Sequence, residues 1–495
     1  MVIRAFPKLE NSKIVRAIGA FFRLDAYPVL IAFLMACSEL FGLELVVFYL
    51  YLFFGALGLL FTPDSRALIP CAACGYMTIS AINNPGRSDD AVFYKPEFII
   101  QLGLILFLFV VLMVGKLVIA LLDGRKKGTP RLLLGFAVLW LGYTLAGVGS
   151  PYYAGNTVLF GFVQIVSLFL FYFFFYYTVD WQTVPVRYFA VLLTAMGAGL
   201  LLETVGMYFN EGVVLTEEID RGALYTGWGV YNNVACMVAM CLPGPFYFAV
   251  KNRHGWLYCI FGNLYFLSLL LTQSRGGILF GTVVYLACAI TVMVRSKRMQ
   301  RVWNMLVFTA MLFAILLSFF LLFDRVSELF ASLIQAGADD ANRFEIYEKC
   351  WNRFLEYPAF GAGFYRTPGA LLYQNGMIVA DAPEGAFFPP RAHNTVFQLL
   401  ATGGAVGLAL YLYHRAETLI SLFKKPSLEK TMIFYSMMAL LLTSLLDCNF
   451  FNVGPGIVYG IVLVLAEGID KKRFGAADPY WLRRKSPSPQ KTKTI

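Results

Sequence analysis

The chain has 495 residues, of which 59% are hydrophobic, 16% aromatic and only 14% charged, with a mean hydropathy of +0.67. Soluble domains carry about a quarter of their residues as charges, so a soluble enzyme is excluded and an all-α polytopic membrane protein is expected. The net charge of +10 falls in short clusters between apolar runs, a footprint of membrane topology and anionic headgroups rather than of nucleic-acid binding.

The basic segment 1–26 is expected to be cytoplasmic. It leads into an apolar stretch without a small-residue cleavage site, so the first span is expected to serve as an uncleaved anchor. Apolar runs follow at 27–42, 43–61, 67–83, 97–122, 132–148, 157–179, 188–207, 229–250, 256–272, 277–294, 302–322, 395–414, 431–447 and 452–469. A crossing helix needs roughly 20 apolar residues. The pattern therefore predicts about 12–14 transmembrane helices, with 27–42 the shortest run. They divide into an N-terminal transmembrane bundle (27–322), one large external loop (323–394), C-terminal transmembrane helices (395–469) and a basic cytoplasmic tail (470–495), whose end "RRKSPSPQKTKTI" is expected to be disordered.

Orientation follows from lysine and arginine. The N-terminal cations, "GRKKGTPR" (124–131), "KNRHG" (251–255), "RSKRMQR" (295–301), "FKKPSLEK" (423–430) and the tail all fall on one side, which the positive-inside rule makes cytoplasmic. Both termini are then cytoplasmic, and the 323–394 loop and Arg275 are external. The nine cysteines lie mostly in or beside spans, with "CAAC" (71–74) the only close pair, and are expected to pack rather than to bind metal or form disulfides.

Within the large loop, "ANRFEIYEKCWNRFLEYP" (341–358) places Phe344, Tyr347, Trp351, Phe354 and Leu355 at helical spacing. This predicts an amphipathic helix along the membrane surface or against the span mouths, ended by Pro358, Gly361 and Gly363. The following "DAPEGAFFPPRAHN" has no helical pattern and is expected to be an ordered or gating loop.

Three chemically capable groups fall on the external side. Arg275 in "QSRGG" sits at a turn between spans, Arg343 opens the loop helix, and His393 stands in "RAHN" where the loop re-enters the membrane. Arginine keeps its charge and offers a planar fork of donors, so two at a membrane mouth can hold a diphosphate as charge builds on it. A structural reading also stands: Arg275 as an interfacial anchor, with Gly276 and Gly277 serving close helix packing. His254 and His414 are placed in or beside cytoplasmic loops, which leaves His393 as the one external group suited to taking a proton near neutral pH, although a lone interfacial histidine is often structural. Asn394 is positioned to orient His393 or to contact a sugar.

Gly403 and Gly407 have the spacing of a helix-packing pair. The acidic pairs Asp89–Asp90 and Asp339–Asp340 are expected to be solvated caps rather than a cation site. Tyr365, Tyr373, Phe387 and Phe388 suit either sugar stacking or an aromatic belt.

Taken together, "TQSRGG", "RFEIYEKCWNRFLEYPAFGAGF" and "HNTVFQLLATGGAVGLAL" resemble the O-antigen ligase/polymerase family. The shared pattern is an SRG turn, an R-x(7)-W helix followed by P-x(2)-G-x-G, and an HN-x(3)-Q-x-L-x(3)-G-x(2)-G helix, in that order across a signature region of 271–410. "GWGVYNNVACMVAMCLP" (227–243), with Asn232 and Asn233, is similar to the asparagine-bearing span that precedes these motifs in the family.

The resemblance implies a GT-C-like fold. It also implies a metal-independent, inverting glycosyltransferase without cofactors that uses an undecaprenyl diphosphate-linked glycan on the external face of the cytoplasmic membrane. By the same analogy Arg275 and Arg343 bind the donor diphosphate and His393 deprotonates the acceptor, with Asn394, Arg366, Arg391, Asn232 and Asn233 as candidate substrate contacts. The partners implied are the lipid-linked donor, membrane lipids and a glycan, lipid or protein acceptor. Ligase, polymerase and protein O-oligosaccharyltransferase share these motifs. Two other classes remain open: a lipid-linked sugar transporter or flippase, for which Lys116 and Glu203 are among the few charges inside spans, and a cell-wall glycosyltransferase related to rod-shape proteins.

Overall fold

The computed structural model describes residues 12–82, 96–122, 128–151, 153, 169–210, 225–321, 327, 341–363, 372–374, 377–379 and 392–474. The protein is an all-α polytopic membrane protein. Its helices in chain order are α1 (Lys13–Phe21), α2 (Ala26–Phe41), α3 (Glu44–Phe61), α4 (Leu68–Ile82), α5 (Pro96–Leu122), α6 (Leu133–Thr144), α7 (Phe169–Thr178), α8 (Tyr188–Asn210), α9 (Tyr231–Lys251), α10 (Gly255–Leu271), α11 (Arg275–Arg295), α12 (Arg298–Leu321), α13 (Ala341–Glu356), α14 (Thr395–Phe423), α15 (Leu428–Thr443) and α16 (Val453–Phe474). Two small antiparallel hairpins accompany them, β1 (Tyr225–Thr226) with β2 (Gly229–Val230), and β3 (Leu372–Gln374) with β4 (Met377–Val379).

Each of the fourteen apolar runs contains a helix among the described residues. Among those residues eight helices are long and apolar enough to cross a membrane, or nine if the pair α1 and α2, bent by 67°, counts as one span. α6, α10 and the described parts of α4 and α7 are apolar but shorter. α6 stops where Gly147 (φ 91°) and Gly149 (φ 84°) turn the chain, a non-helical stretch of the kind a membrane protein tolerates where its own side chains and backbone cover it. Part of the basic segment 1–26 forms α1, an amphipathic helix set at an angle to α2.

α9, α16 and α8 form the centre of the bundle, whereas α5 and α12 lie at the periphery with most of their surface uncovered. Some of the charges buried between helices are held by polar partners. Lys116 donates to the Leu59 and Thr62 carbonyls (3.3 and 2.5 Å) and so caps the C-terminus of α3, a structural use of a charge that also suited a transporter. His414 is fully buried inside α14, near Tyr459 (Nε2···OH 3.2 Å), which corrects its placement at a loop. α14 runs nine residues beyond its predicted end because Arg415 lies over the rings of Tyr411, Phe450 and Tyr459, which stabilise a cation that a hydropathy reading treats as a stop.

The α13 helix forms as predicted, but its apolar residues divide between two faces. Tyr347 stacks on Phe397 of α14 (4.6 Å, 6°) and Cys350 is fully buried, while Phe344, Trp351 and Leu355 are exposed. The face turned to the bundle also carries Arg343 and Arg353, so it is not the most apolar one.

Candidate active site

Four helices, α9, α11, α14 and α16, begin at the end of the bundle that carries α13. Their N-termini surround the turn "SLLDCNFF" (444–451) between α15 and α16. Each N-terminus presents the positive end of a helix dipole, so the region suits an anion. An open cavity of about 110 Å³ lies here, lined among others by Tyr231, Asn232, Ser274, Arg275, Arg343 and Asp447.

His393 adjoins this cavity through Asp447. Its Nδ1 lies 3.3 Å from Asp447 Oδ1, and its side chain is 37% exposed. The Asp447 carboxylate accepts further hydrogen bonds from the Cys448 N–H (2.7 Å) and from Asn232 Nδ2 (2.9 Å). Burial raises the Asp447 pKa, but the bonds from His393, Cys448 and Asn232 outweigh it and hold the carboxyl below the usual aspartate value. Asn232 Oδ1 in turn accepts from Ser274 Oγ (2.6 Å), and Ser274 caps α11 by accepting from the Gly277 N–H (3.1 Å). A continuous hydrogen-bonded chain thus links the start of α11, where Arg275 is the first residue, to the His393 ring.

The His393 backbone is in the left-handed region (φ 50°). Among the described residues Gln273, at φ 53°, is the only other non-glycine there. Both immediately precede a helix N-cap at this site, and such strain persists only where surroundings impose it. At His393 they do. The Ala392 N–H donates to Gln398 Oε1 (2.8 Å), Tyr347 OH donates to the His393 carbonyl (3.5 Å), and Asn394 Oδ1 accepts from Val396 and Phe397 N–H (2.8 and 3.2 Å).

Residues 261–412 match the family model described as O-antigen ligase. This segment is similar to the O-antigen ligase domain, a likeness that supports a membrane glycan ligase or polymerase type of function; no curated protein matches the chain.

The matched segment holds Arg275, Arg343, His393 and Asn394. The structure brings Arg275 and Arg343 to one cavity, with Arg343 Nη1 also donating to the Leu446 carbonyl (3.3 Å). Asn394 is committed as the α14 cap, and its Nδ2 donates to the Leu445 carbonyl (2.9 Å), so its amide orients backbone rather than the His393 ring. Asn232 is engaged with Asp447 and Ser274, and Asn233 accepts from Asn452 Nδ2 (2.6 Å) behind the cavity wall. Gly277 serves packing, since a Cβ there would strike Ala235; at Gly276 it would lie 3.0 Å from Leu446 Cβ. Arg366, Arg391, Tyr365, Phe387, Phe388 and the pairs Asp89–Asp90 and Asp339–Asp340 lie outside the described residues, and of Tyr373 only the backbone, in β3, is described. Among the described residues no three His, Cys, Asp or Glu side chains group as a metal site.

Sequence reasoning misses Asp447, Ser274 and Gln398. Asp447 lies at the predicted end of the 431–447 run and outside the matched segment. The signal that marks it is the polar spacing Asp447, Asn449, Asn452 inside "LLDCNFFN", a stretch otherwise as apolar as a span.

Proposed function

We propose that the protein transfers or polymerises glycan from a polyprenyl diphosphate-linked donor on the external face of the cytoplasmic membrane, with both termini cytoplasmic. The observation that carries this reading is one cavity lined by two arginines and by the buried carboxylate that holds His393. The basic inter-helix clusters, such as those at 251–255, 295–301 and 423–430, all lie at the opposite end of the bundle and support that orientation.

In this reading Arg275 and Arg343 grip the donor diphosphate, assisted by the N-terminus of α11. Their fixed positive charge stabilises the diphosphate as the glycosidic C–O bond breaks, so the leaving group needs no strong general acid. Asp447 accepts from His393 Nδ1–H, which sets the tautomer with the lone pair on Nε2 and stabilises the imidazolium that forms. Nε2 takes the acceptor hydroxyl proton, and the alkoxide-like oxygen attacks an oxocarbenium-like anomeric carbon on the face opposite the diphosphate. Inversion at that carbon follows. None of these steps calls on a metal ion, which agrees with the metal-independent family pattern.

The test is the size distribution of lipid-linked glycan in cells carrying His393→Ala compared with wild type. Accumulation of single repeats assigns a polymerase, and accumulation of long chains on the lipid assigns a ligase to a lipid, or to a protein, acceptor. A pool identical to wild type removes either His393 as the base or the family reading itself, and a transporter of lipid-linked sugar would give that result.

A further inference from the structure

We infer that residues 358–363 form a latch that sets Arg343 against His393, with Gly361 and Gly404 as its positioning residues; this rests on the transfer reading above. In a continuous α-helix the Ala401 and Thr402 carbonyls would accept from the N–H groups of Ala405 and Val406. α14 is instead opened at Gly404 (φ 63°, ψ −163°). The Ala401 and Thr402 carbonyls accept from Ala362 and Gly363 (2.9 and 2.8 Å), and Ala405 and Val406 donate to the Pro358 and Ala359 carbonyls (2.9 and 3.0 Å). Two rungs of the helix are thereby exchanged for four bonds to the segment that follows α13. From the other side, the turn after α6 adds Gly147 N–H to the Phe360 carbonyl (2.7 Å) and Ser150 Oγ to the Ala362 carbonyl (3.3 Å).

The glycines identify which positions the latch requires. A Cβ on Gly404 would lie 2.5 Å from the Ala359 carbonyl carbon and oxygen, and one on Gly361 (φ 66°) would strike the Thr402 carbonyl. These obstacles are backbone atoms, so no side-chain rotation relieves them, and the positive φ adds strain for any side chain. Gly403 and Gly407, the pair expected to pack helices, have open space where a Cβ would stand, with no obstructing atom within 4 Å. The close approach is therefore at 361 and 404, between a loop and a helix.

The latch bears on the site through short lever arms. It joins the end of α13, whose first turn carries Arg343, to α14, whose N-terminus follows His393. A tilt of about 5° over the roughly 13 Å between Gly404 and Thr395 would displace the start of α14 by about 1 Å. A misplacement of that order costs about a hundredfold in rate.

The experiment places spin labels on two exposed positions, Lys349→Cys in α13 and Leu412→Cys in α14, in the full-length protein reconstituted in bilayers. The inter-label distance is measured alongside kcat and donor KM. The unlatched variants Gly361→Ala and Gly404→Ala are expected to broaden or shift the distance and to lower kcat roughly tenfold or more, with a raised donor KM. Gly403→Ala is expected to leave the distance and both constants as in wild type. An unchanged distance in both latch variants overturns the latch, and a shifted distance with normal kcat and KM overturns its positioning role. Should neither variant fold, amide hydrogen exchange on the wild-type protein decides: Ala362, Gly363, Ala405 and Val406 are expected to exchange slowly and together, and exchange of Ala405 and Val406 at the rate of open amides overturns the latch. Normal transfer by His393→Ala would remove His393 as the base, and absence of transfer by the wild type would remove the transfer reading, while either leaves the distance result standing.

Discussion

His393 holds its ring against Asp447 from a backbone conformation that non-glycine residues seldom adopt, and the pair has its own testable consequences. Asp447→Asn keeps a side chain of the same shape but presents an amide where a carboxylate held Nδ1–H. Transfer is expected to fall on the order of 10²–10⁴-fold in initial-rate assays, with donor affinity far less affected. The depressed Asp447 pKa gives the sign of a pH effect. Its ionised form contributes stability that is fully present above the unfolded aspartate value of about 3.9 and is lost as pH falls through the lower folded value. Thermal unfolding should therefore separate wild type from Asp447→Asn at neutral pH, and the margin should close as pH falls below the unfolded aspartate value. A margin that persists undiminished at about pH 2 would contradict this assignment. In the sequence His393 is visible because histidine is rare here and stands beside a span. Asp447 is not, because its role depends on Asn232 and Ser274, which are far away along the chain and reach it only through the packing of α9, α11 and α15.

At the scale of elements, hydropathy finds the helices because apolar length alone decides them. It misses their breaks, which depend on neighbours. α14 reads as one continuous run, yet it opens at Gly404 to admit a segment some forty residues earlier in the chain, a feature that local periodicity does not encode. Likewise the spacing of α13 predicts an apolar face without telling which half of it meets the bundle; stacking of Tyr347 on Phe397 settles that. The start of α14 makes a prediction of its own. Asn394→Ala removes two capping bonds and the tie to Leu445, and should cost about 1 kcal/mol of stability. Because the cap adjoins His393, transfer should fall as well, and Asn394→Ser, which retains an accepting oxygen, should recover most of the stability. Equal stability losses for alanine and serine, measured by thermal unfolding, would show that the cap is not what Asn394 supplies.

Across the whole molecule the two ends of the bundle divide the work. The end with the cavity carries exposed or half-buried polar groups set by strained turns, while the opposite end is tied by a buried ionic network. There Asp470 pairs with Arg131 and with Lys430 (3.0 Å), and Glu467 accepts from the Arg131 N–H (2.9 Å) and from Tyr172, joining α6, α7, α15 and α16. Asp470→Ala leaves two buried cations without their carboxylate and should destabilise the protein by about 3–5 kcal/mol in thermal unfolding. The transfer rate per folded molecule should be unchanged, since the network is remote from the cavity; a selective loss of rate at full stability would contradict that division. The central claim is that the cavity end transfers glycan from a lipid diphosphate with His393 as base. Its most direct test is consumption of a polyprenyl diphosphate-linked glycan by purified protein in bilayers, wild type against His393→Ala. The account predicts release of polyprenyl diphosphate and a lengthened or newly attached glycan with wild type, and donor that is bound but not consumed with the variant. Normal consumption by His393→Ala would contradict it.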